Sequence, residues 1–463
     1  MVRGRWGELG VPLVPALVLL LLGLAQLLRD QPLWYDELYT AQVAPLPLAE
    51  QAALVRDGAG PTPYLPDVPP SYNAPYYALL HLWLRLPLTT TGEVGLRLPS
   101  LLCSVAAVAV LVVLVRRLAG PLAGLLAGLL AATSPLLLEQ AVEARSYGPA
   151  LVATALAGLA TVRWLQTGRG LVAFGLAGAA AGLLHWFALP TIAAFAVAAL
   201  LLRRRDGAPL AAVAALAAVP TLALLALAVS HDTAGSPDPP AVGLRLPLQA
   251  VEDWTLGQFP LLLATVVLGA VALRRSEHRI LAGSWLVVPL ALTTAAELVR
   301  PVYYPRYVLP GLLALAVLAA LGAAGLPRWR TAVCLALVGV SGLAAAAGVD
   351  RGPRERAPEV VALLAAQQRP GEPVVAADAR AALGLDVYVT RDAPRLRTDV
   401  VLPPADVPLD PAARRVWLVR WSLEGPVDPV DDDAILAAGG WRLTAVTELP
   451  AITGVNVVQR WER

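Results

Sequence analysis

Val11 to Leu28 reads VPLVPALVLLLLGLAQLL, an unbroken apolar run that ends just before Trp34-Tyr35-Asp36-Glu37-Leu38-Tyr39. As a helix, a run of this length crosses most of a hydrocarbon core of ~30 Å. Arg3 and Arg5 ahead of it give it the outline of a secretory signal. It is long for the apolar core of such a signal, and no small-x-small cleavage site precedes Trp34. The reading is therefore a retained first membrane helix, with two carboxylates just beyond its outer end.

The same pattern recurs along the chain. Apolar segments fall at 11–28, 94–115, 118–134, 147–162, 170–184, 186–202, 208–230, 258–273, 280–299, 307–326 and 331–349, which predicts about 11 transmembrane helices. Composition agrees: 57% of the 463 residues are hydrophobic and 15% charged, where soluble domains carry about 25% charged residues. Mean hydropathy is +0.64. The fold class is an α-helical polytopic membrane protein. A net charge of +2 implies no nucleic-acid surface. All 36 basic residues are arginine, so the phosphate loop GxxxxGK[ST] cannot occur. A GxGxxG turn after a strand, GxSxG and HExxH are also missing. A cytosolic nucleotide donor is thereby disfavoured, and no metal or other cofactor is expected. Cys103 and Cys334 each lie within an apolar run without a partner at metal-ligand spacing, and read as small buried hydrophobes.

Orientation follows from the loops. With the N-terminus cytoplasmic, the inner connections hold Arg3/Arg5, Arg116/Arg117, Arg163/Arg169, Arg203/Arg204/Arg205, Arg274/Arg275/Arg279 and Arg328/Arg330, against the acids Glu8, Asp206 and Glu277. Arginine on every second connection is what the positive-inside rule requires. The outer side then receives segment 29–93, Glu139–Tyr147, His185, loop 231–257, Glu297–Arg306 and the C-terminal region. From about Asp350 charge and proline rise, and short β-type runs appear at 373–376, 416–419 and 455–458, with a helical period near 359–368. Residues 350–463 read as a small extracytoplasmic α/β domain on a membrane domain of residues 1–349.

Four constellations gather on that outer side. Asp36 and Glu37 are bracketed by Trp34, Tyr35 and Tyr39, residues that anchor at headgroup depth. A carboxylate fixed there can take a proton from an acceptor hydroxyl, whereas a bland pair of this kind would only charge a helix start. Residues 40–56 suit an amphipathic helix on the membrane surface. Ser71 to Arg85 is aromatic-rich, and helical spacing sets Tyr77, His81 and Arg85 in one row, either as a sugar-pocket wall or as an interfacial anchor. Arg145, between two spans, needs either Glu143, Glu139 or an anionic ligand. Its planar fork suits a phosphate. Arg306, within Tyr303-Tyr304-Pro305-Arg306-Tyr307, either snorkels or joins Arg145 on a lipid phosphate. His185-Trp186-Phe187 adds a polar group at the same level.

In their order, these motifs resemble the GT-C superfamily of integral-membrane glycosyltransferases. The acid pair after helix one, Pro75-Tyr76-Tyr77 with Leu80-His81, Leu96-Arg97-Leu98-Pro99-Ser100, Glu143-Ala144-Arg145 with Tyr147, His185-Trp186-Phe187 and Pro305-Arg306-Tyr307 carry the likeness over about residues 1–325. It is nearest to enzymes of bacterial glycosyltransferase family 39 and to dolichyl-phosphate-mannose-protein mannosyltransferases, including those acting on lipopolysaccharide core or lipid A. One departure is Leu138-Glu139-Gln140 before Ala141-Val142, where the family often has an aromatic before Ser-Gln.

The resemblance implies transfer of a mannose- or arabinose-like sugar from a polyprenyl-monophosphate donor, with inversion, to a glycolipid, cell-wall glycan or protein outside the cytoplasm. It places the catalytic base at Asp36 with Glu37 beside it, and the donor phosphate at Arg145, Arg306 and Tyr147. Tyr77, His81, His185 and Tyr304 then wall the substrate pocket. A transporter or lipid-linked-sugar flippase is the rival reading. It favours charges near the bilayer midplane and inverted repeats, neither of which the sequence displays. A bare scaffold for the C-terminal domain leaves the aromatic-flanked Asp36 unexplained.

Overall fold

The computed structural model describes residues 3–29, 31–87, 92–231, 240–276, 278–326, 329–348, 352–403, 413–423, 436 and 439–463. Glu277 and Arg328 of the expected inner loops lie outside them. The first helices are α1 (Arg3–Leu27), α2 (Tyr35–Val43), α3 (Leu48–Asp57), α4 (Ala74–Leu84), α5 (Glu93–Ala132) and α6 (Pro135–Ala141). Next come α7 (Tyr147–Thr167), α8 (Leu171–Leu184), α9 (Leu189–Arg203), α10 (Ala208–Ser230), α11 (Leu246–Trp254) and α12 (Phe259–Arg275). The series closes with α13 (Arg279–Glu297), α14 (Leu309–Ala324), α15 (Arg330–Gly348), α16 (Ala357–Gln367) and α17 (Ala379–Asp392). Strands are β1 (Val374–Ala376), β2 (Val400–Val401), β3 (Arg415–Ser422), β4 (Arg442–Ala451) and β5 (Gly454–Glu462). Two compact units form: residues 1–28, 71–83 and 94–350, and residues 29–70, 84–93 and 351–463.

The first unit is helical and apolar. Among the described residues, five helices are long and apolar enough to cross a membrane: Glu93–Ala132, Tyr147–Thr167, Trp186–Arg203, Ala208–Ser230 and Arg279–Glu297. The pair Gly243–Trp254 and Phe259–Arg274, bent by 113°, makes a sixth if read as one broken span. The sequence leads one to expect about 11, whereas the count of five or six goes by length and composition over the described residues alone. Two apolar windows fold as shorter helices, Leu171–Leu184 and Leu309–Ala324. The window at 170–184 stops because His185 turns to extended backbone, φ −155°. The windows at 94–115 and 118–134 fall on the two helical stretches of α5, which meet at a break at Ala119 and Gly120. Gly120 sits at φ +85°, and a Cβ added there would meet nothing within 4 Å, so backbone freedom rather than space calls for glycine. Pro121 follows, lacking the N–H that would bridge the break.

Helix α14 is buried along nearly its whole length, Leu309 to Ala323, as befits a helix apolar on all sides. Other helices of the unit are apolar outward: Leu17 and Leu21 of α1, Val172 and Leu176 of α8, and Leu216 and Val219 of α10 are exposed. That is the surface lipid solvates and water does not. Without a hydrophobic drive between helices in lipid, close packing has to hold the bundle, and small residues permit it. A Cβ on Gly322 of α14 would overlap the Leu268 carbonyl oxygen of α12. Gly322→Leu is expected to cost at least ~2 kcal/mol by overpacking, read as a lower thermal midpoint of the detergent-solubilised chain. A change of less than about a degree would show that the α12–α14 approach does not need glycine.

The second unit is a mixed sheet in the order β2-β1-β3-β5-β4. β1 runs parallel to β2 and β3, while β3–β5 and β5–β4 are antiparallel. Val416, Leu418, Trp441 and Trp461 bury on one side of it. The expected runs at 373–376, 416–419 and 455–458 fall on β1, β3 and β5, and the helical period near 359–368 on α16. Helix α17 and strand β4 have no counterpart in the sequence reading. α17 starts at Asp378, whose Oδ1 accepts the N–H of Arg380 (2.9 Å) and Ala381 (2.8 Å). Its Oδ2 accepts the Trp421 N–H (2.8 Å), tying the helix start to β3. Burial pushes the Asp378 carboxyl pKa up even so. The unit also contains α2 and α3, from the segment that follows the first apolar helix. The amphipathic helix expected over 40–56 is instead split between α2 and α3 at Pro45 and Pro47.

Candidate functional site

Within the helical unit the expected site residues converge. Arg145 lies in the turn between α6 and α7, where the Ser100 hydroxyl of α5 donates to its carbonyl at 2.6 Å. Gly148, at the start of α7, leaves no room for a Cβ against the Ser100 carbonyl oxygen. The Leu-Pro-Ser motif thus works as a seat that presses the Arg145 turn against α5. The neighbouring Ser146 hydroxyl donates to Asn73 Oδ1 at 2.7 Å, joining that turn to the start of α4. The guanidinium of Arg145 donates to the Tyr77 hydroxyl at 3.3 Å. Tyr77 and His81, one turn apart on α4, are both buried. Arg85, placed in the same row by helical spacing, falls beyond the end of α4, so the row stops at His81.

The second cation comes from the segment before α14. Glu297, at the end of α13, folds that segment back: its carboxylate accepts the N–H groups of Val302 (2.7 Å) and Tyr303 (2.9 Å) on one oxygen. The other oxygen accepts from Val242 (2.8 Å) and Gly243 (3.4 Å). The Tyr303 hydroxyl donates to Asp253 at 2.6 Å. The Arg306 guanidinium then stacks over Tyr304 at 4.5 Å and lies 5.6 Å from the Tyr307 ring. Glu297→Gln puts an amide among four N–H donors and is expected to loosen residues 300–308, at about 1–3 kcal/mol per stranded donor. Faster hydrogen exchange confined to that loop is the expected reading; unchanged protection would contradict this role.

Between the two cations lies an aromatic cluster. Tyr147 meets His185 edge-on (5.3 Å), His185 meets Tyr307 (5.5 Å), and Phe187 stacks on Tyr307 (4.7 Å). Tyr72 packs against Trp186 (5.2 Å) and His185 (6.2 Å). Both guanidiniums act electrostatically on Tyr147 and on His185. Among the described residues, the Tyr147 hydroxyl, both His185 ring nitrogens and the Trp186 indole N–H are buried with no side-chain hydrogen-bond partner. Unsatisfied buried groups are costly, and their gathering beside two cations is the pattern of a site awaiting a polar, anionic molecule. Sequence reasoning names Arg145, Arg306, Tyr147, Tyr77, His185 and Tyr304 individually. It misses Tyr72, Trp186, Phe187 and Tyr307 as members, although each lies in a quoted motif beside a named residue. Among the described residues no group of three or more His, Cys, Asp or Glu could hold a metal ion.

The acid pair belongs to the other unit. Asp36 and Glu37 occupy the first turn of α2, where negative charge complements the helix dipole. Glu37 is fully buried and its Oε2 accepts the Trp34 N–H (3.4 Å), a contact that caps its own helix. Asp36 is half-buried.

The chain thus combines an apolar helical unit with a second unit built on a small mixed sheet, and known proteins share this fold. Residues 73–230 match the family model described as dolichyl-phosphate-mannose-protein mannosyltransferase. The fold is similar to that of ArnT from Cupriavidus metallidurans in the apo state, with TM-score 0.58, 15% identity and 98% of each chain covered. The same protein bound to undecaprenyl phosphate gives TM-score 0.55, 14% identity and 98% of each chain. The archaeal oligosaccharyltransferase AglB from Archaeoglobus fulgidus, in complex with an inhibitory peptide and a dolichol-phosphate, gives TM-score 0.58 and 14% identity over 87% of this chain and 65% of that one. No curated protein matches the sequence. The likeness to GT-C glycosyltransferases read from the motifs is thus shown by sequence over residues 73–230, and beyond them the likeness is one of fold alone.

Proposed function

We propose that this chain is a multi-pass membrane glycosyltransferase that moves a mannose- or arabinose-like sugar from a polyprenyl monophosphate to an acceptor outside the cytoplasm. The acceptor is a glycolipid, a cell-wall glycan or a protein. The N-terminus is cytoplasmic and the C-terminal region outside, as the arginine-bearing loops require. The observation that carries the reading is the convergence of Arg145 and Arg306 on buried, unsatisfied Tyr147 and His185. A lipid phosphate answers both needs, with oxygens for the guanidinium forks and a sugar for the remaining polar groups. That ArnT is known bound to undecaprenyl phosphate and AglB to a dolichol-phosphate supports a donor of this class.

The reaction is a single in-line displacement at the anomeric carbon. The C–O bond to the phosphate breaks, and Arg145 and Arg306 hold the charge that develops on the departing polyprenyl phosphate. The acceptor oxygen forms the new bond from the opposite face, which inverts the anomeric configuration. Asp36 takes the acceptor's proton, and Glu37 beside it fixes the helix start. Tyr77, His81, His185 and Tyr304 surround the sugar. Incubating the purified chain with a polyprenyl-phosphate sugar and following free polyprenyl phosphate tests the proposal. Release above the protein-free control is expected, and its absence with each of the two sugar classes would overturn the reading.

A further inference from the structure

Helix α2 spans only Tyr35–Val43, too short to hold its shape or place alone. Its placement comes from its contacts, and within its unit these lead to the C-terminal region. The Leu33 N–H donates to the Tyr388 hydroxyl (2.7 Å), and the Gln42 amide to Asp386 (2.9 Å), which also accepts from Tyr64 (2.7 Å). The contact nearest the acid is the most elaborate. The Tyr35 N–H, one of the donors a helix start leaves open, is taken by Glu355 Oε1 at 2.9 Å. Glu355 is almost wholly buried. Arg380 holds the same oxygen through Nε (2.7 Å) and Nη2 (2.5 Å). Its other anchors are the Trp421 ring at 3.6 Å, the Tyr35 ring at 5.2 Å and the Thr453 hydroxyl at 2.9 Å.

We infer that the Glu355–Arg380 pair is a positioning device for Asp36, which makes the C-terminal domain a working part of the acid helix's mounting rather than an appendage. Glu355 fixes the residue before Asp36 by its backbone. Arg380 supplies the positive charge that lets the buried carboxylate of Glu355 stand near the half-buried Asp36, with which it interacts. A buried acid left without that cation would repel Asp36 and cost its own desolvation. Trp421, on β3, holds the guanidinium plane, so the sheet sets the angle of the fork. Burial raises the Glu355 carboxyl pKa and Arg380 pulls it back, which agrees with a pair that stands or falls together.

The inference rests on Asp36 acting as base. Its test uses the full chain in lipid nanodiscs, with Glu355→Ala, Glu355→Gln and Arg380→Lys. Hydrogen exchange over 34–43 and the kcat and KM for the donor lipid are measured together. In E355A, exchange over 34–43 is expected to rise about tenfold and kcat to fall about tenfold or more, with β3 and β5 protection and donor KM unchanged. E355Q keeps an oxygen for the Tyr35 N–H and restores most of both. R380K keeps the charge but not the fork, and lowers kcat at unchanged KM. If E355A does not yield folded protein, E355Q and R380K carry the test by themselves. Protection and kcat both unchanged in E355A and R380K would overturn the inference. So would loosening of the whole sheet together with α2, which marks a merely structural pair. Full turnover in Asp36→Asn would strike the base assignment instead, while the exchange data still report whether Glu355 holds α2.

Discussion

Asp36→Asn is expected to abolish sugar transfer, lowering kcat by about 10²–10⁴, the range a positioned general base contributes. The substitution keeps the side-chain volume and a hydrogen-bonding oxygen, and removes only the group that accepts a proton. Its structural cost is the loss of one negative charge from the first turn of α2, about 0.3–1 kcal/mol. Folded yield and thermal midpoint are therefore expected to stay close to those of the parent chain. Glu37→Gln should behave differently. Glu37 is fully buried and bonded to the Trp34 N–H, so its loss is read first in stability and only then in rate. Comparing the two variants by turnover per folded molecule separates base from cap. Equal rates for Asp36→Asn and the parent chain would remove Asp36 from the chemistry.

Arg145→Ala is the second large effect. The guanidinium sits on a backbone pinned by Ser100 and donates to Tyr77, so it is held ready rather than recruited. Removing a preorganised donor to a developing oxyanion costs about 10²–10³ in kcat. Arg145→Lys keeps the charge but not the planar fork and is expected to recover only part of that loss. Arg306→Ala should resemble Arg145→Ala, with an added loss of order around Tyr304 and Tyr307, over which the guanidinium stacks. Steady-state kinetics with a polyprenyl-phosphate sugar decide the matter. A rise in donor KM with unchanged kcat would mean that the arginines bind the ground state alone.

The class of fold can be read from hydropathy, because lipid demands long apolar helices and the residues declare them. Where an individual helix ends is harder to read. A hydropathy window does not register that His185 leaves the helix. In the cluster, Arg145, Arg306 and His185 stand out because charge among apolar residues is conspicuous. Tyr72, Trp186, Phe187 and Tyr307 do not, because an aromatic at a membrane interface is ordinary until its neighbours are known. α17 escapes a sequence reading for a related reason. Its start depends on Asp378 capping two N–H groups while also bonding Trp421 across the sheet, a tertiary fact with little local signature. The likeness of α2 to a plain surface helix hides its attachment to Glu355 and Tyr388, which lie more than three hundred residues away in the chain.

The most direct test of the account is a single-turnover reaction of the purified chain in nanodiscs. The donor is a polyprenyl-phosphate sugar labelled at the anomeric carbon, and the product is read by NMR alongside the lipid. The account predicts that one polyprenyl phosphate is freed for each sugar transferred and that the anomeric configuration is inverted. Donor that crosses the bilayer intact with no cleavage, or product that retains its configuration, would contradict it.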